Sequence, residues 1–413
     1  MSRGAALWVV IAALAGGCAA AAPRPVARDA GDRALASGAR SPAADAPPVA
    51  VGRPCGPGLA RPGSAGCEPA ELPPAAPPDP APAPTEPAEP PRPGTVPGGL
   101  ARGTGDEADR SLLAGDEAFA EDDLARAGRH YERARKLAPR DPAPRVGLVR
   151  VAFARTGLVT DFAAAPSDAR VRRLVRDLDA ILAKHADYGP AHVERGRLLL
   201  VLGDARAALQ ALETGVRLEP RDPEAHSAHG IALLATGDSE GALARLERAS
   251  QLDPQNPARL TNLGTAYLMR GRLPEAIRAY EQAVLLAPTD PRAHGDLGTA
   301  YLAANRGKEA VRHLVRAVEL APDRATFLSN LGYAYLVSGD PERAVGIFRR
   351  ALEKDPKLVS AWLNLGTALA RQGKLDEAEV ALRRAQALAP DDPRVQPNLD
   401  ELRELREQRA PAP

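Results

Sequence analysis

The sequence has few aromatic residues, almost no net charge and only three cysteines among its 413 residues. Aromatics make up 3% of the chain, which disfavours β-sheets and base-stacking surfaces and favours helices packed through alanine and leucine. The formal net charge is +1, from 54 basic and 53 acidic residues, so no overall field would attract nucleic acid. The composition therefore predicts neither a β domain nor a nucleic-acid-binding protein.

The sequence also lacks the motifs that most often mark an active site. It has no HExxH, Cys-x-x-Cys or GxxxxGK[ST] motif, and no Ser-His-Asp set in a strand-turn-helix context. The many acidic residues are expected at helix caps and on solvated faces. We therefore predict no catalytic residue, no metal site, no cofactor and no small-molecule substrate. A hydrolytic enzyme built on the inserted loop described below is the alternative from another class.

Residues 1–18 have the layout of a secretory signal. Arg3 precedes the apolar run Ala5 to Ala15, which is too short to span a bilayer as a mature helix. The run ends in Leu14-Ala15-Gly16-Gly17-Cys18, which resembles a bacterial lipobox with its leucine one place early. This resemblance implies that Cys18 is acylated and anchors a lipoprotein, and Ala19 after it implies the outer membrane, facing the periplasm. Ordinary cleavage among Ala19 to Ala22 is the alternative.

Residues 19–107 are rich in proline, alanine and glycine and contain few large apolar residues. Such a composition cannot offset the entropy of folding, so we expect a disordered tether. Cys55 and Cys67 lie within it, and their spacing is not that of a metal or redox pair. In an oxidising periplasm they would form a structural disulfide or remain as two free thiols.

Residues 108–392 repeat with a period of 34. The unit from Pro257 to Asp290 is followed by one in which Gly298 and Tyr301 stand where the first has Gly264 and Tyr267. A glycine inside a helix costs stability, so we expect it where a neighbouring helix passes too closely for a side chain. The period and the helix-turn-helix pattern resemble the tetratricopeptide repeat (TPR) family. The resemblance implies an all-α solenoid of helical hairpins wound into a right-handed superhelix.

The repeats are predicted to form eight units followed by a capping helix and tail at residues 393–413. The second unit is degenerate and carries an insertion near residues 156–169. A loop on one face of a solenoid often makes specific contacts, but a neutral insertion costs little. Both interpretations of the insertion stay open on the sequence alone.

One series of residues suggests binding. The sixth position of the last four units holds Asn262, Asp296, Asn330 and Asn364. In TPR superhelices this position faces the concave groove, and the TPR arm of O-GlcNAc transferase uses an asparagine ladder there to hold extended peptide. The resemblance implies that these four residues bind peptide, since an amide can both donate and accept. The lysine and asparagine pattern of chaperone-binding TPR clamps is absent, so we expect no capture of a chaperone C-terminus.

Histidine recurs at the fourth position as His192, His226 and His294. In the family this position holds a bulky packing residue, so we predict packing rather than metal binding. The sequence as a whole predicts a non-catalytic scaffold for protein–protein interactions in the bacterial cell envelope, which contacts the membrane only through its lipid anchor. A pilotin-like lipoprotein that assists assembly of a pilus or secretin is the alternative.

Overall fold

The computed structural model describes residues 98–158 and 162–409. The regular structure in these ranges consists of seventeen α-helices. Cys18, Cys55 and Cys67 lie outside the described residues, so the acylation of Cys18 stays a prediction, and a disulfide and two free thiols both stay open for Cys55 and Cys67. The helices are α1 (Glu107–Ala120), α2 (Leu124–Leu137), α3 (Ala143–Ala154), α4 (Ala169–Leu182), α5 (Gly189–Val201), α6 (Ala205–Leu218), α7 (Pro223–Thr236), α8 (Ser239–Leu252), α9 (Pro257–Met269), α10 (Leu273–Leu286), α11 (Pro291–Ala303), α12 (Gly307–Leu320), α13 (Ala325–Val337), α14 (Pro341–Lys354), α15 (Val359–Arg371), α16 (Leu375–Leu388) and α17 (Val395–Arg409).

The helices pair in sequence to form antiparallel hairpins, from α1 with α2 to α15 with α16, and α17 follows the last pair. The second helix of each hairpin packs against the first helix of the next. This stacking buries the apolar stripes that one hairpin alone cannot cover. The predicted all-α solenoid of helical hairpins is therefore confirmed.

In seven of the eight hairpins a glycine in the middle of the first helix faces a side chain of the second helix, and in the second hairpin Gly147 faces Tyr131 of the preceding hairpin. A Cβ atom on Gly264 would lie 2.8 Å from Cε1 of Tyr280, and one on Gly298 would lie 2.5 Å from Cγ of Leu314. Carbon atoms do not approach so closely, so any side chain at these positions would push the helices apart. The close approach expected from the sequence is confirmed.

The first helices line the inner surface of the solenoid. First helices of successive hairpins contact each other directly, whereas second helices of successive hairpins approach each other much less. Stacked units curve toward the side on which neighbours are closest, and this creates a concave surface. Side chains at equivalent positions of the first helices therefore form rows along this surface.

The described part of the inserted loop packs on the solenoid. The backbone N–H groups of Ala163 and Ala165 donate to the carbonyls of Leu200 and Val201 at 2.8 and 3.0 Å. These carbonyls belong to the last turn of α5, where carbonyl groups have no N–H partner within the helix. Phe162 is partly buried against the same core. This side of the loop therefore closes the end of a helix.

The solenoid begins before its first helix. The sequence places residues 98–107 in the tether, but Leu100 and Ala101 are buried against the first hairpin. The sequence boundary is wrong here because a single leucine in a run of glycines gives no visible helical or strand pattern. At the other end, α17 buries Val395, Leu399 and Leu402 against the last hairpin. None of the helices in the described ranges is long and apolar enough to cross a membrane.

Candidate functional site

The predicted asparagines lie on the inner surface and connect successive repeats. Nδ2 of Asn262 donates to Oγ of Ser227 at 3.1 Å, and Nδ2 of Asn330 donates to Oγ1 of Thr299 at 3.1 Å. Both amides are half-buried, and each bond joins a first helix to the preceding first helix. One amide hydrogen and the carbonyl oxygen of each side chain are then left for a ligand.

The other two predicted residues differ in their surroundings. Asn364 is half-buried, and no hydrogen bond of its side chain is found within the described ranges. Asp296 is also half-buried; burial and then the charge of Asp296 raise the pKa of Tyr280 well above its ordinary value. The series thus presents two bridging amides, one free amide and one carboxylate.

The series continues one step further, into α17. Asn398 in α17 follows Asn364 by one period of 34 residues. Its Oδ1 lies 3.0 Å from Oγ1 of Thr367, and its Nδ2 donates to the carbonyl of Arg394 at 2.7 Å. The spacing was visible in the sequence, but α17 was interpreted only as a cap. We refer to Asn262, Asp296, Asn330, Asn364 and Asn398 together as the ladder.

A chain of buried and half-buried charges occupies the inner surface before the ladder. Nε of Arg150 lies 2.6 Å from Oε1 of Glu194, and Nη1 of Arg197 lies 3.1 Å from Oε2 of the same residue. Arg197 also pairs with Glu224 at 2.9 Å, and Glu224 pairs with Arg259 at 3.2 Å. Charges of alternating sign therefore link the second hairpin to the fifth.

The central glutamate of this chain stays ionised. Burial alone would raise the pKa of Glu194, but Arg197 and Arg150 beside it lower the pKa below its ordinary value. The carboxylate of Glu194 in turn raises the pKa of Arg197. Glu194 is 4% exposed, so the expectation that acidic residues lie on solvated faces is wrong here. Arg197, three residues later in α5, and Arg150, in the preceding first helix, make the burial tolerable.

The recurring histidines hold the connections between hairpins. Nε2 of His192, His226 and His294 donates to the carbonyl six residues earlier, at 2.9, 3.0 and 3.1 Å. Trp362 at the same repeat position donates to the carbonyl of Pro356 at 2.9 Å. Within the described ranges, no group of three His, Cys, Asp or Glu residues could hold a metal ion. The aromatic ring at this position thus donates a hydrogen bond to the turn that precedes its helix.

Sequence comparison gives matches over the regular repeats. A tetratricopeptide repeat model matches residues 193–257, 295–359 and 330–393, and a second tetratricopeptide repeat model matches residues 233–295. No curated protein sequence matches the chain.

Several solved structures resemble the fold. A chain of the APC/C hetero-tetramer Cut9–Hcn1 aligns with a TM-score of 0.57 at 14% identity, over 73% of this chain and 57% of that one. This chain thus spans little more than half the length of that relative. YrrB, described as a TPR protein with an unusual peptide-binding site, aligns at 22% identity over 46% of this chain and 99% of its own, with a TM-score of 0.38. PilF of Pseudomonas aeruginosa aligns at 17% identity over 52% and 97%, with a TM-score of 0.45.

The repeat matches, the stacked hairpins and the first alignment agree on the fold. The chain contains tetratricopeptide repeats and folds as a TPR solenoid.

Proposed function

We propose that the protein is a non-catalytic scaffold that binds an extended segment of a partner protein along the ladder. TPR solenoids typically act as protein–protein interaction scaffolds. The observation that carries the proposal is the row of asparagines at one position of the first helices α9, α13, α15 and α17. Rows of polar groups on a concave surface suit a ligand whose own polar groups repeat.

The spacing of the ladder suits an extended backbone. Helices in contact lie about 8–10 Å apart, and an extended chain advances about 3.3 Å per residue. One ladder residue would therefore meet about every third peptide group of the ligand. Because an amide donates to a carbonyl and accepts from an N–H, it can bind either side of a peptide group. Asp296 adds a carboxylate between two amides and favours a neutral or basic residue there.

The N-terminal sequence supports a membrane-anchored form of this scaffold. The lipobox-like end of the signal at Cys18 and the proline-rich residues after it would place the solenoid in the cell envelope, at the outer membrane and facing the periplasm. Replacement of Cys18 by alanine should then move the protein from the membrane fraction to the soluble fraction. If Cys18→Ala still pelleted with membranes, Cys18 would not be the site of the anchor.

The ladder is tested with peptides selected from a random library displayed on phage, because a defined peptide allows affinity to be measured. Each amide hydrogen bond contributes about 1 kcal/mol net. The triple variant Asn262→Ala, Asn330→Ala and Asn364→Ala should therefore bind the selected peptides roughly 100-fold more weakly. The bonds to Ser227 and Thr299 are lost as well, so helical content and the melting temperature must be measured alongside.

A matched control lies on the second helices. Arg278, Arg312 and Val380 are exposed residues at one shared repeat position. Their triple replacement by alanine should leave peptide affinity unchanged. If the asparagine variant stays helical and binds the peptides as tightly as the wild type, the ladder is not the binding site.

A further inference from the structure

The chain's own residues 98–102 lie on the inner surface of the first hairpins. The backbone N–H groups of Leu100 and Ala101 both donate to Oδ2 of Asp116, at 2.6 and 2.9 Å. The two residues are only 3% and 9% exposed. Asp116 stands on the first helix α1, one residue after the glycine of its repeat. A buried carboxylate here holds two successive peptide groups of an extended segment.

Contacts on both sides fix the rest of the segment. The carbonyl of Gly98 accepts from Nη1 of Arg150 at 2.9 Å, and the N–H of Arg102 donates to Oδ1 of Asp109 at 2.7 Å. Nη2 of Arg102 reaches Oδ1 of Asp141 at 2.6 Å. The guanidinium of Arg102 also lies over the ring of Tyr188, 5.9 Å from its centroid. Backbone groups and the arginine are thus recognised by separate residues, and Leu100 is buried in the hydrophobic cluster of the N-terminal hairpins.

The site is built to receive these groups. Oδ1 of Asp116 accepts from the hydroxyl of Tyr131 at 2.8 Å, and both side chains are buried. Without the segment, Oδ2 of Asp116 would lose both of its backbone donors. A buried carboxylate without donors is strongly unfavourable. Burial already raises the pKa of Asp116, and the N–H of Ala101 and the hydroxyl of Tyr131 oppose that change. Any segment that covers Asp116 must therefore present free N–H groups to its carboxylate.

We propose that Asp116, Asp109, Asp141 and Arg150 form a second peptide-binding site, which the chain fills in cis with residues 98–102. The site would take an extended segment that presents two free backbone N–H groups, a leucine and, two places later, an arginine. None of the ladder residues takes part, so this proposal does not depend on the proposed function, and either can fail without the other. Because a short link gives an effective concentration near the millimolar range, the cis segment excludes free ligands at lower concentrations. An external segment gains access only when the cis segment is released.

The test uses the full chain and a fluorescent peptide of residues 96–104, VPGGLARGT. The variant Leu100→Asp with Arg102→Asp brings two carboxylates toward Asp116, Asp109 and Asp141 and should release the cis segment by repulsion. We expect this variant to bind the peptide at least 10-fold more tightly than the wild type. Adding Asp116→Ala to the variant should remove the gain, because the two backbone N–H groups then lose the single oxygen that accepts both of them. A peptide with the same leucine and arginine replaced by aspartate should not bind.

A variant that keeps its helical content and binds the peptide no better than the wild type would overturn the proposal and leave residues 98–102 as a structural end of the solenoid. If the double variant does not fold, Leu100→Ala tests the same expectation with a smaller gain. Hydrogen exchange of the wild type gives an independent result. The N–H groups of Leu100 and Ala101 should exchange more slowly than those of the free peptide. Equal exchange rates would contradict the cis-bound segment.

Discussion

The buried charge chain gives the sharpest stability prediction, and Glu194→Ala is the perturbation. Glu194 accepts hydrogen bonds from Arg150 and Arg197, and its side chain and that of Arg150 are 5% and 10% exposed. Its removal leaves the guanidinium groups of Arg150 and Arg197 without the carboxylate that neutralises both. Breaking a buried pair by removing one partner costs about 3–5 kcal/mol. At about 2.1 cal/mol/K of unfolding entropy per residue, a loss of about 4 kcal/mol in a solenoid of about 300 residues should lower the melting temperature by roughly 6 °C.

The assay is thermal and urea unfolding followed by circular dichroism, with an exposed pair as the control. Arg349 and Glu377 also join two hairpins at 2.8 Å, but their side chains are 56% and 52% exposed. Glu377→Ala should cost about 1 kcal/mol or less, because water screens such pairs. Replacing both Arg150 and Glu194 by methionine should cost less than Glu194→Ala alone, since no unpaired charge is buried. A loss for Glu194→Ala no larger than for Glu377→Ala would refute the reasoning.

Two further predictions concern packing and pH. Gly298→Ala should destabilise the protein by about 1–3 kcal/mol, because its Cβ would lie 2.5 Å from Cγ of Leu314. Gly346→Ala is the control: it also lies in a helix, but within the described ranges no atom beyond its neighbours and its own helix backbone lies within 4 Å of the new Cβ, so it should stabilise the protein by about 0.5–1 kcal/mol. Equal effects of the two variants in thermal melts would contradict this account of packing. Burial lowers the pKa of His229 from 6.5 to about 4. Between pH 6.5 and about pH 4 the unfolded state therefore binds a proton that the native state does not. Stability is lost as the pH falls through this window. His229→Leu should flatten that loss in urea titrations at pH 7 and pH 5, with His130→Gln as the control for removing a histidine; an unchanged slope in His229→Leu would assign the acid sensitivity elsewhere.

The hairpins were predictable because their signals repeat. Each period carries a glycine such as Gly264 at a close helix contact, and one contact recurring in many units is visible in a single sequence. The inner-surface position of Asn262 followed from resemblance to a family whose superhelix brings that position to the groove. The hydrogen bond from Asn262 to Ser227 could not be predicted in this way, because the distance between hairpins depends on the curvature of the whole stack.

The charged half of the inner surface could not be predicted. Asp116, Arg150 and Glu194 look like ordinary helix-surface charges, since all their partners except Arg197 lie 15 to 52 residues away and the degenerate second unit breaks the period. Leu100 was missed for a different reason. It is one apolar residue in a glycine-rich stretch, and only the groove across the first hairpins gives it a buried site. Asn398 was within reach of the sequence, because it continues the same spacing into α17.

The most direct test of the central claim is to map where a selected peptide touches the protein. A library-selected peptide carrying a photo-crosslinking residue would be bound to the full chain, irradiated and analysed by mass spectrometry of the digested product. We predict crosslinks to the first helices α9 to α17 around the ladder, including the segments with Asn330 and Asn364, and their loss in the triple asparagine variant. Crosslinks confined to second helices, such as the exposed face around Leu285 or Val380, would contradict binding on the inner surface.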